Sequence, residues 1–356
     1  MKSSGFYVFV LAVLLLGGLT FASSCSKNED SAPVGNADKS KLTALIDSTT
    51  LVYNAAVEGN KPGNYAPGAK AALKTALDLA TAVKNDQSYN QYAVDVALAN
   101  LRRAIAAFKT ALIQEVSAAN LVAQWKFSGN ANDATANANN GVLKSGPIGP
   151  GTAPGDGGTL PTLVADRLGQ AGQAYEFTNG AYIEVPYKAA LNPQALTISL
   201  WCKRFDSNAD NYLVSLNRWQ SYKLQLQGAG KPYLTIATTS TIADKDADSG
   251  IVPLNVWTHV TASYVDGTTK FYINGALVKT YTDVTGPLKT APQAVPLCIG
   301  QQLPKTIYNS TPTGSQATGY FDYYGPAYFK GQIDEIRLYN RALTDAEVQS
   351  IYTIEK

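Results

Sequence analysis

A single histidine, His259, occurs in the whole 356-residue sequence, and that alone narrows the chemistry. A Ser–His–Asp or Cys–His nucleophile would have to use it, and a zinc site built on several histidines is excluded. Its setting, Trp257-Thr258-His259-Val260, reads as a strand, which favours a structural role. Glycoside hydrolysis needs two carboxylates flanking the scissile bond. From residue 119 onward the glutamates are Glu176, Glu184, Glu335, Glu347 and Glu355. Asp334 and Glu335 are adjacent, so on a strand they point to opposite faces and make a poor pair. Asp244, Asp246 and Asp248 imitate the opening of an EF-hand loop. Ser249 stands where that loop needs its sixth-position glycine and Asn255 where it needs its glutamate, so a solvated loop is expected. The densest feature is Gly319-Tyr320-Phe321-Asp322-Tyr323-Tyr324-Gly325-Pro326-Ala327-Tyr328-Phe329, with six aromatics in eleven residues. Tyr320, Phe321, Tyr323 and Tyr324 are candidate stacking surfaces for sugar rings, joined by Trp219 and, more weakly, by Tyr222. The alternative is a loop that folds its rings onto the rest of the protein.

Two kinds of element must position these residues. Between residues 38 and 118 the apolar positions follow a helical period. Leu42, Leu45, Ile46, Val52 and Ala56 mark a first helix. Leu73, Ala76, Leu77, Ala80 and Val83 mark a second. Val94, Leu98, Leu101, Ile105, Phe108 and Leu112 mark a third. Three such stripes predict a small antiparallel bundle. From residue 119 to 356 short alternating runs separated by Gly, Pro, Asn and Asp predict strands. Examples are Leu121, Ala123, Trp125 and Phe127, and Tyr222, Leu224 and Leu226. Asn274-Gly275 supplies a hairpin turn, and Thr344-Asp345-Ala346-Glu347 is a capping box for a final helix. The predicted fold class is therefore multidomain: a three-helix bundle followed by an all-β two-sheet sandwich.

Composition sets further bounds. The formal net charge is +2, and removing the first 24 residues removes Lys2 alone, leaving 28 basic against 27 acidic side chains. No Lys/Arg block follows, so nucleic acid is not an expected partner. Cysteines stand at 25, 202 and 298. An oxidising compartment would permit a Cys202–Cys298 bridge, but two separated thiols do not specify one, and free buried cysteine is the alternative.

Residues 1–24 read as a secretory signal: Lys2, an apolar core over 6–16, then Ala22-Ser23-Ser24. That apolar core is too short for a comfortable membrane span. A cysteine directly after small residues resembles the lipobox of bacterial lipoproteins, with Ala22 in place of the usual leucine. The resemblance implies acylation of Cys25 and a membrane anchor. A cleaved signal that leaves a free thiol is the alternative. Residues 25–37 are polar, with Pro33 and Gly35, and read as a flexible tether. Glu29-Asp30 is similar to the surface-export signal of Bacteroidetes lipoproteins, which favours the cell surface over the periplasmic face of the outer membrane.

The run Val57-Glu58-Gly59-Asn60-Lys61-Pro62-Gly63 through Lys70, followed by a Leu/Ala-rich helix, resembles FIVAR-like three-helix modules of bacterial surface proteins; a stalk is the expected role. The β region resembles the laminin G-like, concanavalin A-like jelly-roll family. The motifs that carry this are Trp125-Lys126-Phe127-Ser128-Gly129-Asn130-Ala131-Asn132-Asp133, Asp166-Arg167-Leu168-Gly169 with Ala174-Tyr175-Glu176-Phe177, Leu196-Thr197-Ile198-Ser199-Leu200-Trp201, Trp257-Thr258-His259-Val260, and Phe329-Lys330-Gly331-Gln332-Ile333-Asp334-Glu335 continuing to Leu343. Glucanases of this fold carry Glu-x-Asp-x-x-Glu on one strand, a pattern that none of the five glutamates begins. The resemblance also implies one structural Ca²⁺, with Asp133 and Asp334 as ligands and Asn130 beside them. The alternative is that Asp133 caps a turn and Asp334 pairs with an arginine or a backbone amide. The leading expectation is a non-catalytic envelope lipoprotein that binds carbohydrate. A structural or protein-interaction role in an envelope assembly stands second, and a cryptic glycoside hydrolase third.

Overall fold

The structure, a computed structural model, describes residues 37–146, 158–209, 211–291, 294–308 and 328–356. The leader, Cys25 and most of the tether lie outside the described residues. The helical region comprises α1 (Ser40–Ala55), α2 (Ala69–Asn85) and α3 (Gln91–Thr110). Leu42, Ile46, Leu73, Leu77, Ala80, Val94, Leu101 and Phe108 form their shared core. The Asn90 side chain accepts from the Ala93 amide at 3.0 Å and caps α3. Val52 departs from the expected stripe. It is 48% exposed, because the buried face of α1 runs through Leu42, Ile46 and Thr49 and ends on the side away from Val52. Leu112 lies beyond α3, where its backbone bridges Tyr65, whose ring stacks on Phe108 at 4.0 Å. Among the described residues no helix is long and apolar enough to cross a membrane.

The β region forms two antiparallel sheets. In the first the order is β13 (Ala276–Tyr281), β12 (Thr268–Ile273), β11 (Thr258–Val265), β6 (Leu196–Arg204), β15 (Gly331–Tyr339), β4 (Ala174–Phe177) and β3 (Thr162–Val164), with β1 (Leu121–Trp125) also paired to β15. In the second the order is β10 (Ile242–Asp246), β9 (Pro232–Ala237), β8 (Tyr222–Leu226), β7 (Asn211–Leu216), β14 (Leu297–Ile299), β5 (Ala181–Val185) and β2 (Val142–Ser145). Residues directly opposite one another in a sheet share a face, so the register reads as rungs. Leu234, Leu224, Val214, Ile299, Ile183 and Leu143 make one rung of the second sheet, turned to the common core. From the first sheet Leu200, Ile198, Val260, Ala262 and Leu338 face the same core. A jelly-roll sandwich results, and the predicted fold class holds.

The hairpin at Asn274-Gly275 has both residues at positive φ, +50° and +77°, as a tight two-residue turn requires. The capping box is formed in full at the start of α5 (Asp345–Glu355): Thr344 Oγ1 accepts from the Glu347 amide and the Glu347 side chain accepts from the Thr344 amide. A four-residue helix, α4 (Lys305–Tyr308), precedes the last strand. One expectation fails locally. Asp334 and Glu335 do not simply alternate, because the register shifts between Asp334 and Arg337 and Glu335 takes φ +48°. This bulge puts Asp334 and Arg337 on the same outer face. Cys202 and Cys298 are free thiols in different sheets, both buried, so the bridge is not formed.

Candidate ligand-binding face

Alternation that sends one set of side chains of the second sheet inward must send the other set outward. One outward rung crosses the sheet as Asp244, Thr235, Lys223, Ser215, Cys298 and Glu184. A second carries Asp246, Tyr233, Gln225 and Tyr212. The β5 and β14 half is roofed: Ser215 Oγ donates to the Gln302 carbonyl at 2.7 Å, and the Lys305 amide donates to the Tyr182 hydroxyl at 3.1 Å. On the half made by β8, β9 and β10, Trp219 and Tyr233 are half-buried, Asp246 is half-buried and Asp244 is exposed.

Trp219 reaches this face from a single 3₁₀ turn, Arg218–Gln220, between β7 and β8. Asn217 and Arg218, in succession, sit at φ +53° and +48°. Two consecutive left-handed non-glycine residues store strain of the sort that concentrates at binding sites. Lys223 Nζ lies 5.1 Å from the Tyr212 ring centre, 5.7 Å from Trp219 and 5.2 Å from Tyr233, and donates to Gln225 Oε1. The Arg218 guanidinium lies 4.7 Å from the Trp219 ring. Cations held against ring faces fix both partners. Thr235 Oγ1 donates to Asp244, and burial, with Asp244 next, pushes the Tyr233 phenol above its ordinary value. The arrangement combines aromatic faces, amides and carboxylates on a rigid sheet, which suits a polyhydroxylated ligand.

Of the candidate stacking residues singled out from sequence, only Trp219 is placed on this face among the described residues, where it joins Asp244 and Asp246. Tyr320, Phe321, Tyr323 and Tyr324 lie outside the described residues. Within the same aromatic run Phe329 is buried edge-on to Phe177, and Tyr328 is half-buried where its backbone bridges Gln301. Tyr222 faces the core, its hydroxyl donating to the Leu191 carbonyl at 2.7 Å. Tyr212, Lys223, Gln225 and Tyr233 were missed. Their signal was present as the complement of the apolar alternation in β8 and β9.

The calcium set does not fit a hard cation as placed. Asp133 Oδ1 accepts from the Gln124 and Thr135 amides at 3.0 and 2.9 Å. Its Oδ2 accepts from Thr135 Oγ1 and the Asn139 amide at 2.8 and 2.9 Å. Those four donors use the oxygens that a metal would need. Asn130 Oδ1 accepts from the Asn132 amide at 2.8 Å. Asp334 is paired with the Arg167 guanidinium, whose charge opposes a second cation. Burial nevertheless pushes Asp334 up to about 7, against the pull of Arg167. Asp133 thus closes a turn and Asp334 answers an arginine. Asp244 and Asp246 sit in β10 instead of a metal loop, and Asp248 pairs with Lys279.

His259 belongs to a polar layer between the first sheet and α5. Its Nε2 is 2.8 Å from Ser199 Oγ and 3.9 Å from Glu355 Oε2. Glu355 also accepts from Trp201 Nε1 at 2.9 Å and Arg337 Nε at 2.7 Å. Serine, histidine and glutamate so arranged invite a nucleophile reading, which fails on geometry. Both partners meet the same ring nitrogen, Nδ1 has no partner, and the imidazole is fully buried. Burial, followed by Arg337 and Arg167, lowers His259 to about 3, so the ring is neutral. Glu184 and Asp244 share a rung five strand spacings apart, roughly 24 Å, too far to act as a pair, whereas Asp244 and Asp246 stand two residues apart on one face of β10.

The geometry can be set beside known proteins. No curated protein matches the sequence. Among solved structures, domain 4 of AbnA, a GH43 extracellular arabinanase from Geobacillus stearothermophilus solved with arabinotriose, aligns at 21% identity over 65% of this chain and 98% of its own, with a TM-score of 0.49. The binding domain of Paraclostridial Mosquitocidal Protein 1 aligns at 19% identity, 65% and 52% coverage and TM-score 0.45. Botulinum neurotoxin type C, whose cell entry is dependent upon interaction with two ganglioside molecules, aligns at 13% identity, 65% and 50% coverage and TM-score 0.41. The chain spans about half the length of these two toxin chains. Residues 177–349 match the profile of the concanavalin A-like lectin/glucanases superfamily, Laminin_G_3. The strands β1 to β3 precede that match yet pair into the same two sheets. Residues 177–349 carry a concanavalin A-like jelly-roll domain.

Proposed function

We propose that the protein is a non-catalytic cell-envelope lipoprotein, anchored through Cys25, whose sandwich binds carbohydrate on the outer face of β8, β9 and β10. The observation that carries this reading is the pair of outward rungs with Trp219, Tyr233, Gln225, Asp244 and Asp246 gathered on one rigid surface. Sugar rings stack their C–H faces on aromatic side chains while their hydroxyls meet amides and carboxylates. Non-catalytic action is supported by the inaccessible histidine. The helical bundle serves as a stalk.

The test is a glycan array followed by calorimetry with the mature chain. Binding that drops at least about tenfold in Trp219→Ala and in Tyr233→Ala, with unchanged melting temperature, is the expected result. A mature chain silent across the array, or one whose binding ignores both substitutions, removes the proposal. A protein-partner role has a separate observation behind it: Leu51, Leu79 and Tyr92 on the bundle are 73%, 67% and 77% exposed. Pull-down of one envelope protein that is lost on substituting these three would favour that second role.

A further inference from the structure

We propose that Asn179 is a site of spontaneous modification, where the side-chain amide is lost through a succinimide and an aspartyl or isoaspartyl residue replaces it. Asparagine followed by glycine hinders this reaction least, because glycine has no side chain to crowd the attacking amide nitrogen. Three such pairs occur in the sequence: Asn140-Gly141, Asn179-Gly180 and Asn274-Gly275. All three asparagines are exposed, while Gly180 and Gly275 are buried and Gly141 is half-buried. Exposure therefore does not single out Asn179; hydrogen bonding does. Asn140 Oδ1 accepts from the Asp133 amide at 3.0 Å, and the Gly141 amide donates to the Ala131 carbonyl at 2.8 Å. Asn274 Oδ1 accepts from the His259 amide at 3.0 Å, and the Asn274 amide donates to the His259 carbonyl at 2.9 Å. Among the described residues, neither the Asn179 side-chain amide nor the Gly180 N–H has a hydrogen-bond partner.

Water is the one co-reactant. Solvent base removes the Gly180 N–H proton, and the nitrogen attacks the side-chain carbonyl carbon of Asn179. A new C–N bond closes a five-membered ring, the bond to Nδ2 breaks, and that nitrogen leaves as ammonia with a proton from water. Water then opens the ring at either carbonyl, giving aspartate or an isoaspartyl link with an extra methylene in the main chain. A side chain already bonded must break that bond before it can swing to the attacking nitrogen, and a bonded N–H must do so before it loses its proton. Each requirement adds the cost of local opening. The position gives the product a structural consequence. Residues 178–180 carry the chain from β4 in the first sheet to β5 in the second. The Asn179 carbonyl accepts from the Thr159 amide at 3.1 Å and the Gly180 carbonyl from the Gly146 amide at 2.9 Å. A longer main chain at this crossing displaces both acceptors.

The experiment holds the mature chain at mildly alkaline pH and follows all three pairs over time by peptide mass mapping. The maps read the amide-to-acid mass change, and fragmentation separates aspartyl from isoaspartyl links. In the folded chain Asn179 should convert at least about tenfold faster than Asn140 or Asn274. In denaturant the three rates should approach one another, since folding alone separates them. The rate at Asn179 should rise with pH, with ammonia released in step. Asn179→Gln should remove the early product while Asn140 and Asn274 convert as before. The isoaspartyl fraction, isolated chromatographically, should melt below Asn179→Asp, which carries the new charge without the added methylene. Folded Asn140 or Asn274 converting as fast as Asn179 overturns the proposal. So does an Asn179 that stays intact in the folded chain while it converts in denaturant. Equal melting of the isoaspartyl form and Asn179→Asp overturns the displacement at the crossing. None of these outcomes depends on glycan binding.

Discussion

An ammonium group on a sheet loses its water unless the protein replaces it, and Lys223 finds replacement in three ring faces and the Gln225 amide. The periodicity of β8 distinguished two faces but not which one a ligand would meet, so Lys223, Gln225 and Tyr233 were invisible as a site until the strand order set them beside Trp219. Trp219 was legible only as one more aromatic able to stack on a sugar ring. Asp133 and Asp334 were singled out through the family resemblance as calcium ligands, with a capped turn and an arginine as the alternative, and the structure gives them those alternative partners, the Asn139 amide and Arg167. Asp334 has a pH consequence. Its folded value of about 7 stands above the ordinary 3.8, so the unfolded chain releases the proton first as pH rises. The stability associated with this carboxyl is full below about pH 4 and is lost as pH climbs through 7. Glu355, also raised by burial, acts in the same direction. Thermal melts should therefore fall between pH 4.5 and 7.5, and Asp334→Asn should flatten that slope; an unchanged slope would contradict the assignment.

At the scale of elements, α5 shows what short motifs can specify. Its first turn was readable in Thr344 and Glu347, and the structure adds Arg341, which binds Glu347 at 2.5 Å and, with the Thr344 bonds and despite burial, lowers it to about 2. Thr344→Ala should cost about 1 kcal/mol in denaturant unfolding, with the slope unchanged. Its last turn was not readable. Glu355 gathers Trp201 and Arg337, while its own carbonyl accepts from Arg167 Nε at 2.6 Å. Glu355→Ala leaves buried guanidinium and indole donors unmet and should cost more than the cap, about 3 kcal/mol. A smaller loss than for Thr344→Ala would contradict the layer's importance. The Asn274-Gly275 hairpin was fully legible because its turn chemistry is local. The Glu335 bulge was not, since nothing but its two partner strands demands it.

At the scale of the molecule, the bundle and the sandwich keep separate cores, and a smaller third cluster joins Tyr272, Tyr339, Leu343, Val348 and Ile351 to Val116 and Leu121. A boundary at residue 118 therefore cuts through packing: Val116 serves the sandwich side, and the Gln114 amide donates to Ser350 Oγ at 2.9 Å. A chain beginning at residue 119 should melt lower than one beginning at 112; equal melting temperatures would show that the linker adds nothing. Pattern reading found both kinds of folded unit because each has its own period, whereas a linker has none. β15 lies between β6 and β4, yet more than a hundred residues separate it from either. Until β15 is in place the first sheet has a vacant central lane, with the strands on either side unable to zip together. Such long-range closure is slow, and a chain truncated before residue 331 leaves β6 and β4 as unpaired edges.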